Sequence, residues 1–129
     1  MHETKADILL HPIRLRIIQA FMPPKRLTAQ AIGAVLPIDE FVVCAHDNAD
    51  HCVCRKPRPG MVLEAAARHG VDLRQSFLIG DRWRDIDCGA AAGVRTVFIE
   101  RGYRERAPEH APDFVTESLG AAVEWILQA

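Results

Sequence analysis

Apolar positions along this chain follow two different rhythms. Between residues 6 and 36 they return at helical spacing: Ile13, Ile17, Ile18 and Phe21 stand behind Pro12, whose locked φ and missing N–H suit a first helical turn. Pro23-Pro24 stops that run. Thr28 can cap a second, shorter helix carrying Ala31, Ile32 and Val35, which Pro37 closes. Residues 1–37 are therefore expected to form an N-terminal helical segment, folded as a hairpin.

From residue 38 onward the rhythm changes to short, unbroken apolar runs, the pattern of strands covered on both faces: Phe41-Val42-Val43, Phe77-Leu78-Ile79, Val94 to Ile99, and Phe114-Val115. Helical stretches separate them. Pro59 can open one with Met61, Val62, Leu63, Ala66 and Ala67, with Gly70 in capping position. A second runs from about Arg84 to Ala92 and ends at Gly93, and a last one from about Ser118 to Leu127. Strand and helix in alternation predict an α/β portion over 38–129, a right-handed parallel sheet of three to four strands with flanking helices.

Composition narrows the classes. The chain has 129 residues and suits one modest core. A net charge of -1 gives no support to tight binding of nucleic acid or an anionic membrane. No run approaches the roughly 18 apolar residues of a membrane span, and the N-terminus shows no charged-then-apolar signal pattern, so a soluble, cytoplasmic protein is expected. Of the 4 cysteines, Cys44, Cys52 and Cys54 crowd together while Cys88 stands apart in a predicted helix, where it reads as core filler. That distribution points to metal binding rather than to a disulfide framework.

Cys44-Ala-His46 and Cys52-Val-Cys54 offer four nitrogen and sulfur ligands from one loop, 44–54, which matches the closed tetrahedral set of structural zinc. Asp47, Asn48 and Asp50 leave this loop little core of its own, so its rigidity would come from the metal. The alternatives are incidental cysteines in a mobile loop, and His51 in place of His46 as the nitrogen ligand.

Directly after the last of these cysteines, Arg55, Lys56 and Arg58 place three cations ahead of a predicted helix N-terminus, a good anion site if it is not merely a solvated basic turn. Further on, Asp81 and Asp85 stand four residues apart at the carboxyl end of a predicted parallel strand. Ligand sites lie at that edge, and paired carboxylates there suit a hard cation such as Mg²⁺. For Asp85 a capping or helix-dipole role is the alternative. Asp87 is expected on another face of the same helix.

Taken together, Cys-x-His, Cys-x-Cys-Arg-Lys-Pro-x-Pro-Gly-Met, Ile-Gly-Asp-Arg-x-x-Asp and Ala-Ala-Gly-Val resemble the second half of the zinc-loop phosphatases of the haloacid dehalogenase (HAD) superfamily. Heptose bisphosphate and histidinol phosphatases are the nearest groups. The resemblance runs from about Ile38 to the C-terminus and implies a partial HAD-like, Rossmannoid sheet. It also implies catalytic roles for Lys56, offsetting phosphoryl charge, and for Asp81, holding Mg²⁺ with support from Asp85. Arg55 would contact substrate phosphate beside Lys56, and zinc would sit on Cys44, His46, Cys52 and Cys54. The implied reaction is Mg²⁺-dependent hydrolysis of a sugar or other small-molecule phosphate monoester.

The family's opening Asp-x-Asp strand, which supplies nucleophile and general acid, and its Ser/Thr strand do not occur before Phe41. The only Asp-x-Asp is Asp85-Ile86-Asp87, inside a predicted helix. Without an aspartyl phosphate the covalent route fails, so the chain is expected to be inactive as it stands or to depend on a complementing chain. With those two strands missing, direct pairing of the strand at Phe41–Val43 with the strand at Phe77–Ile79 is expected, through the 59–69 helix.

Residues 6–36 are in turn similar to the opening two helices of ArsR-type winged helix-turn-helix repressors, without the recognition helix and wing that would follow. Two other functions stand beside the phosphatase reading. One is a zinc-stabilised, non-catalytic module for phosphorylated ligands or a protein partner, and the other is a DNA-binding regulator. A homo-oligomer or a complementing chain is the expected protein partner.

Overall fold

The run Phe77-Leu78-Ile79-Gly80 is buried along its whole length and forms the first strand, β1 (Phe77–Gly80). It belongs to a computed structural model that describes residues 38–129. The helical hairpin expected over residues 1–37, with its ArsR-like resemblance, lies outside the described residues. Before β1 stand a short 3₁₀ turn (Asn48–Asp50) and α1 (Gly60–His69). After it come α2 (Trp83–Ala92), β2 (Arg95–Ile99), β3 (Phe114–Thr116) and α3 (Leu119–Gln128).

The three strands lie parallel in the order β1-β2-β3, with Ile79 opposite Val97 and Val97 opposite Phe114. Successive side chains of a strand face opposite sides, so each strand serves two layers. Phe77, Ile79, Val97 and Ile99 pack with Ala122 and Ile126 of α3 on one face. Leu78 lies on the other face with Val94, Cys88 and Ala92 of α2, and Val62 of α1. Trp125 closes the first layer, edge-on to Phe77 at 5.8 Å and stacked on Phe114 at 5.0 Å. Burial of each large aliphatic or aromatic side chain contributes about 1.5–3 kcal/mol, so these two layers are the main source of the fold's stability.

The helix ends follow their sequence signals. Gly70 and Gly93 cap α1 and α2 with φ of 63° and 80°, the left-handed region that glycine enters without a Cβ penalty. Ser118 caps α3 by accepting from the Ala121 amide at 3.1 Å. Cys88 is fully buried, as expected of core filler.

One expected strand does not form. Phe41-Val42-Val43 is irregular and exposed, Val43 by 83%, and it does not pair with β1. One residue earlier the chain is tied to α1 instead. Glu40 accepts from Arg68 Nη2 at 2.8 Å and lies 2.7 Å from His69 Nε2, which moors the segment to the last turn of α1. A three-residue apolar run has no ladder of its own, and strand preference follows context more than residue type. Among the described residues, no helix is long and apolar enough to cross a membrane.

Candidate phosphate and metal site

At the carboxyl end of β1 the chain turns from Gly80 through Asp81 into α2. A Cβ on Gly80 would stand 2.2 Å from Asp85 Cβ, so only glycine lets the first turn of α2 fold back over the strand end. Asp85, 4% exposed, is thereby held against the turn. Its Oδ2 accepts from the Arg82 amide at 3.0 Å, and its Oδ1 accepts from Lys56 Nζ at 2.5 Å. The capping role weighed for Asp85 is thus present alongside an ion pair that reaches across 29 residues. Asp81 stays nearer the surface and accepts from the Tyr103 hydroxyl at 3.1 Å. That hydrogen bond, and the charge behind it, push the Tyr103 phenol above its usual range.

Lys56, Asp81 and Asp85 line one open cleft of about 490 Å³, together with Arg82, Trp83, Arg84 and Glu105. It sets an ammonium, fixed by a nearly buried carboxylate, beside a second carboxylate, a donor set that an anion and a divalent cation together could share. Arg55 does not line this cleft. Its guanidinium turns into the cysteine loop, donating to Asn48 Oδ1 at 2.7 Å and to the His46 carbonyl at 2.9 Å.

The loop brings Cys44, His46, Cys52 and Cys54 together, all four ligand atoms lying within 4.8 Å of one another. Sulfur–sulfur separations are 3.7 Å for Cys44 to Cys52 and 3.2 Å for Cys44 to Cys54. His46 Nδ1 lies 3.5 Å from Cys44 and 3.2 Å from Cys54. Tetrahedral zinc bonds of about 2.3 Å to sulfur and about 2.0 Å to nitrogen give edges of about 3.8 and 3.5 Å, so the donor set has the size and the softness for that ion. His51, the rival nitrogen, falls outside the cluster as the left-handed C-cap of the 3₁₀ turn, φ 50°.

Crowding splits the acidity of the thiols. Burial raises the Cys52 thiol, but hydrogen bonds from the Arg55 amide and from its neighbours Cys54 and Cys44 outweigh this and bring it down to about 7. The Cys54 thiol is pushed up to about 12, first by its hydrogen bond with Cys44 and then by burial and Cys52. A divalent cation among them would relieve the mutual repulsion of adjacent thiolates. The backbone around the cluster is prepared by the 3₁₀ turn, where Asp47 Oδ1 accepts from the Ala49 amide at 3.0 Å and Asp50 Oδ2 accepts from the Asp47 amide at 2.8 Å.

Sequence reasoning missed the contribution of residues 100–113. Glu105 accepts from Arg82 Nε at 2.8 Å and from the Trp83 amide at 3.2 Å, which closes the near side of the cleft. Asp87, 6% exposed, accepts from the Glu109 and His110 amides at 3.2 and 3.1 Å and so ties the same loop to α2. Burial raises the Asp87 carboxyl, but those amides and the His110 ring outweigh it and hold it below the usual value. No local pattern announces pairings between residues more than twenty apart; the sequence places Asp87 on a second face of α2 and goes no further.

Among known proteins, a family model described as HAD-hydrolase-like matches residues 53–122. A D-glycero-D-manno-heptose-1,7-bisphosphate 7-phosphatase of Thermosynechococcus vestitus is 41% identical over 118 residues, covering 79% of this chain and 59% of that protein. The Bordetella bronchiseptica D-glycero-beta-D-manno-heptose-1,7-bisphosphate 7-phosphatase is 36% identical over 109 residues, 80% of this chain and 58% of its own length. A crystal structure of the B. bronchiseptica phosphatase, complexed with magnesium and phosphate, superposes with a TM-score of 0.56 at 36% identity, covering 66% of this chain and 50% of that one. The chain thus spans between half and three fifths of the length of these relatives.

Proposed function

Because this chain belongs to the HAD-hydrolase-like family, we propose that residues 38–129 form the lysine-and-magnesium half of a phosphatase site for a sugar phosphate monoester. The observation that carries this reading is Lys56 Nζ set 2.5 Å from the nearly buried Asp85, in the cleft that Asp81 lines at the end of β1. Lys56 binds a phosphoryl oxygen and balances its charge, while Asp85 keeps the ammonium aimed into the cleft. Asp81, with Asp85 in support, holds Mg²⁺, which when bound neutralises charge on the phosphoryl group. The magnesium and phosphate named for the Bordetella structure support this assignment. Zinc on Cys44, His46, Cys52 and Cys54 serves to brace the loop that delivers Lys56, two residues beyond Cys54. Such a set of reduced thiols suits the cytoplasm.

Neither carboxylate of the one Asp-x-Asp is placed to attack phosphorus. Asp85 is held by Lys56 and the Arg82 amide, and Asp87 by the loop at 109–110. Turnover on this reading needs a carboxylate from a complementing chain, and without one the site binds phosphate esters and does not hydrolyse them.

Calorimetric titration of the full chain with inorganic phosphate in Mg²⁺ tests the proposal. Binding is expected, weakened at least about tenfold by Lys56→Met, the loss of one charge-assisted hydrogen bond; a chain that binds no phosphate would sink it. Phosphate release from a panel of sugar phosphates should stay at the level of an Asp81→Asn control. Release that Asp81→Asn abolishes would mean that a nucleophile is present after all.

A further inference from the structure

Of the three carboxylates that line the cleft, Asp85 is bound to Lys56 and Glu105 to Arg82, at 2.5 and 2.8 Å. Asp81 has no ion pair among the described residues, and the donor its side chain meets there is the Tyr103 hydroxyl, 3.1 Å from Oδ2. Oδ1 is left without a described donor. Tyr103 belongs to a hollow of about 190 Å³ that shares Asp81 and Glu105 with the cleft, whereas Lys56 lines only the cleft. The phenol therefore reaches Asp81 from the hollow, and Lys56 stands on the cleft side.

Packing does not account for Tyr103, which is 47% exposed, yet the chain holds it closely. Gly102 before it takes a left-handed φ of 72° and donates its amide to Glu100 Oε1 at 3.1 Å, while the Glu105 amide donates to the Tyr103 carbonyl at 3.1 Å. Arg82, fixed by Glu105, sets its guanidinium carbon 4.5 Å from the centre of the phenol ring. That cation clamps the ring in place and forms no salt bridge with Asp81. An exposed side chain secured at its backbone and on its ring, with its hydroxyl on one oxygen of a candidate metal ligand, has the form of an outer-shell partner.

We propose that Tyr103 is a positioning residue that engages Oδ2 of Asp81, so that the carboxylate offers a divalent cation Oδ1 alone and the site favours Mg²⁺ over Ca²⁺. This rests on the reading of Asp81 as the Mg²⁺ ligand. Mg²⁺ demands near-ideal octahedral geometry at short range and gains from a carboxylate fixed in one orientation. Ca²⁺ accepts more oxygens at longer and looser distances, and a carboxylate can meet it with both. A hydroxyl on Oδ2 thus helps the smaller ion and closes the two-oxygen mode to the larger one.

The test is calorimetric titration of the full chain with Mg²⁺ and, separately, with Ca²⁺, for wild type, Tyr103→Phe and Asp81→Asn. Tyr103→Phe removes one oxygen from an exposed position, and its thermal unfolding should match that of wild type. Its Mg²⁺ affinity should fall at least about tenfold, the usual effect of losing an outer-shell partner, while its Ca²⁺ affinity holds level or rises. The ratio of the two affinities is the decisive quantity, because a general loosening of the loop would weaken both ions alike. Equal losses for both ions, or Mg²⁺ affinity that is unchanged or tighter in Tyr103→Phe, would overturn the role of Tyr103 while the Asp81 site stands. Absence of Mg²⁺ binding, or Mg²⁺ binding that Asp81→Asn leaves intact, would instead remove the reading of Asp81, and this inference with it.

Discussion

The cysteine loop and the sheet block solve the same problem by opposite means. No residue from Cys44 to Pro59 is buried, and the loop is ordered by polar contacts and by a set of ligands that converge on one point. In the block, Phe77, Leu78 and Ile79 are 1–2% exposed and order comes from apolar burial on both faces of three short strands. The cleft lies on the seam: Lys56 comes from the first region, Asp81 and Asp85 from the second. A site assembled this way inherits two independent modes of failure, one set by the ligand loop and one by packing.

The most drastic way to separate them is Cys52→Ser with Cys54→Ser. Metal analysis should fall from one zinc per chain to none, and hydrogen exchange over 44–58 should become that of an unstructured segment while 77–99 keeps its protection. Continued protection of the loop would mean that its own hydrogen bonds suffice. Leu78→Ala attacks the other region and should lower stability by about 2–5 kcal/mol in urea unfolding. Zinc content of the folded protein should not change. Gly80→Ala strikes the seam itself: the new methyl must displace Asp85, at a cost of about 1–3 kcal/mol, and phosphate binding should weaken with the Lys56–Asp85 pair.

The smallest effect is a pH dependence. Asp87 titrates below its ordinary value of 3.8 in the folded chain, so its contribution is complete above about that pH and is lost as pH falls through the lower, folded value. Melting temperature against pH should therefore drop more steeply below pH 4 for wild type than for Asp87→Asn. Equal slopes would mean that the 109–110 loop contributes nothing through this carboxylate.

Much of the block was legible in the sequence because burial writes itself as pattern. Phe77-Leu78-Ile79 is a strand wherever both faces are covered, and Gly70 and Gly93 mark helix ends because few other residues accept their φ. The ligand loop was legible for a different reason: tight spacing of soft donors constrains distance before any fold is known. Phe41-Val42-Val43 misled because its strand character depended on a neighbour, and Glu40 holds it elsewhere. For Arg55 a contact with substrate phosphate is implied by the resemblance alone, and in the structure its donors meet Asn48 and His46, because adjacent residues of an extended turn point in different directions. The role of Glu105 and Asp87 in closing the site had no local signature at all, since their partners lie about twenty residues away.

The dependence of the cleft on both regions is most directly tested by measuring inorganic phosphate affinity in Mg²⁺ for wild type and for the Cys52→Ser, Cys54→Ser double variant. With the loop unbraced, Lys56 should no longer be presented to Asp85, and affinity should fall at least about tenfold, as for Lys56→Met, while the thermal transition of the block persists. Wild-type affinity in a zinc-free variant would contradict the seam: the block alone would then hold the phosphate, and the loop would be a separate structure.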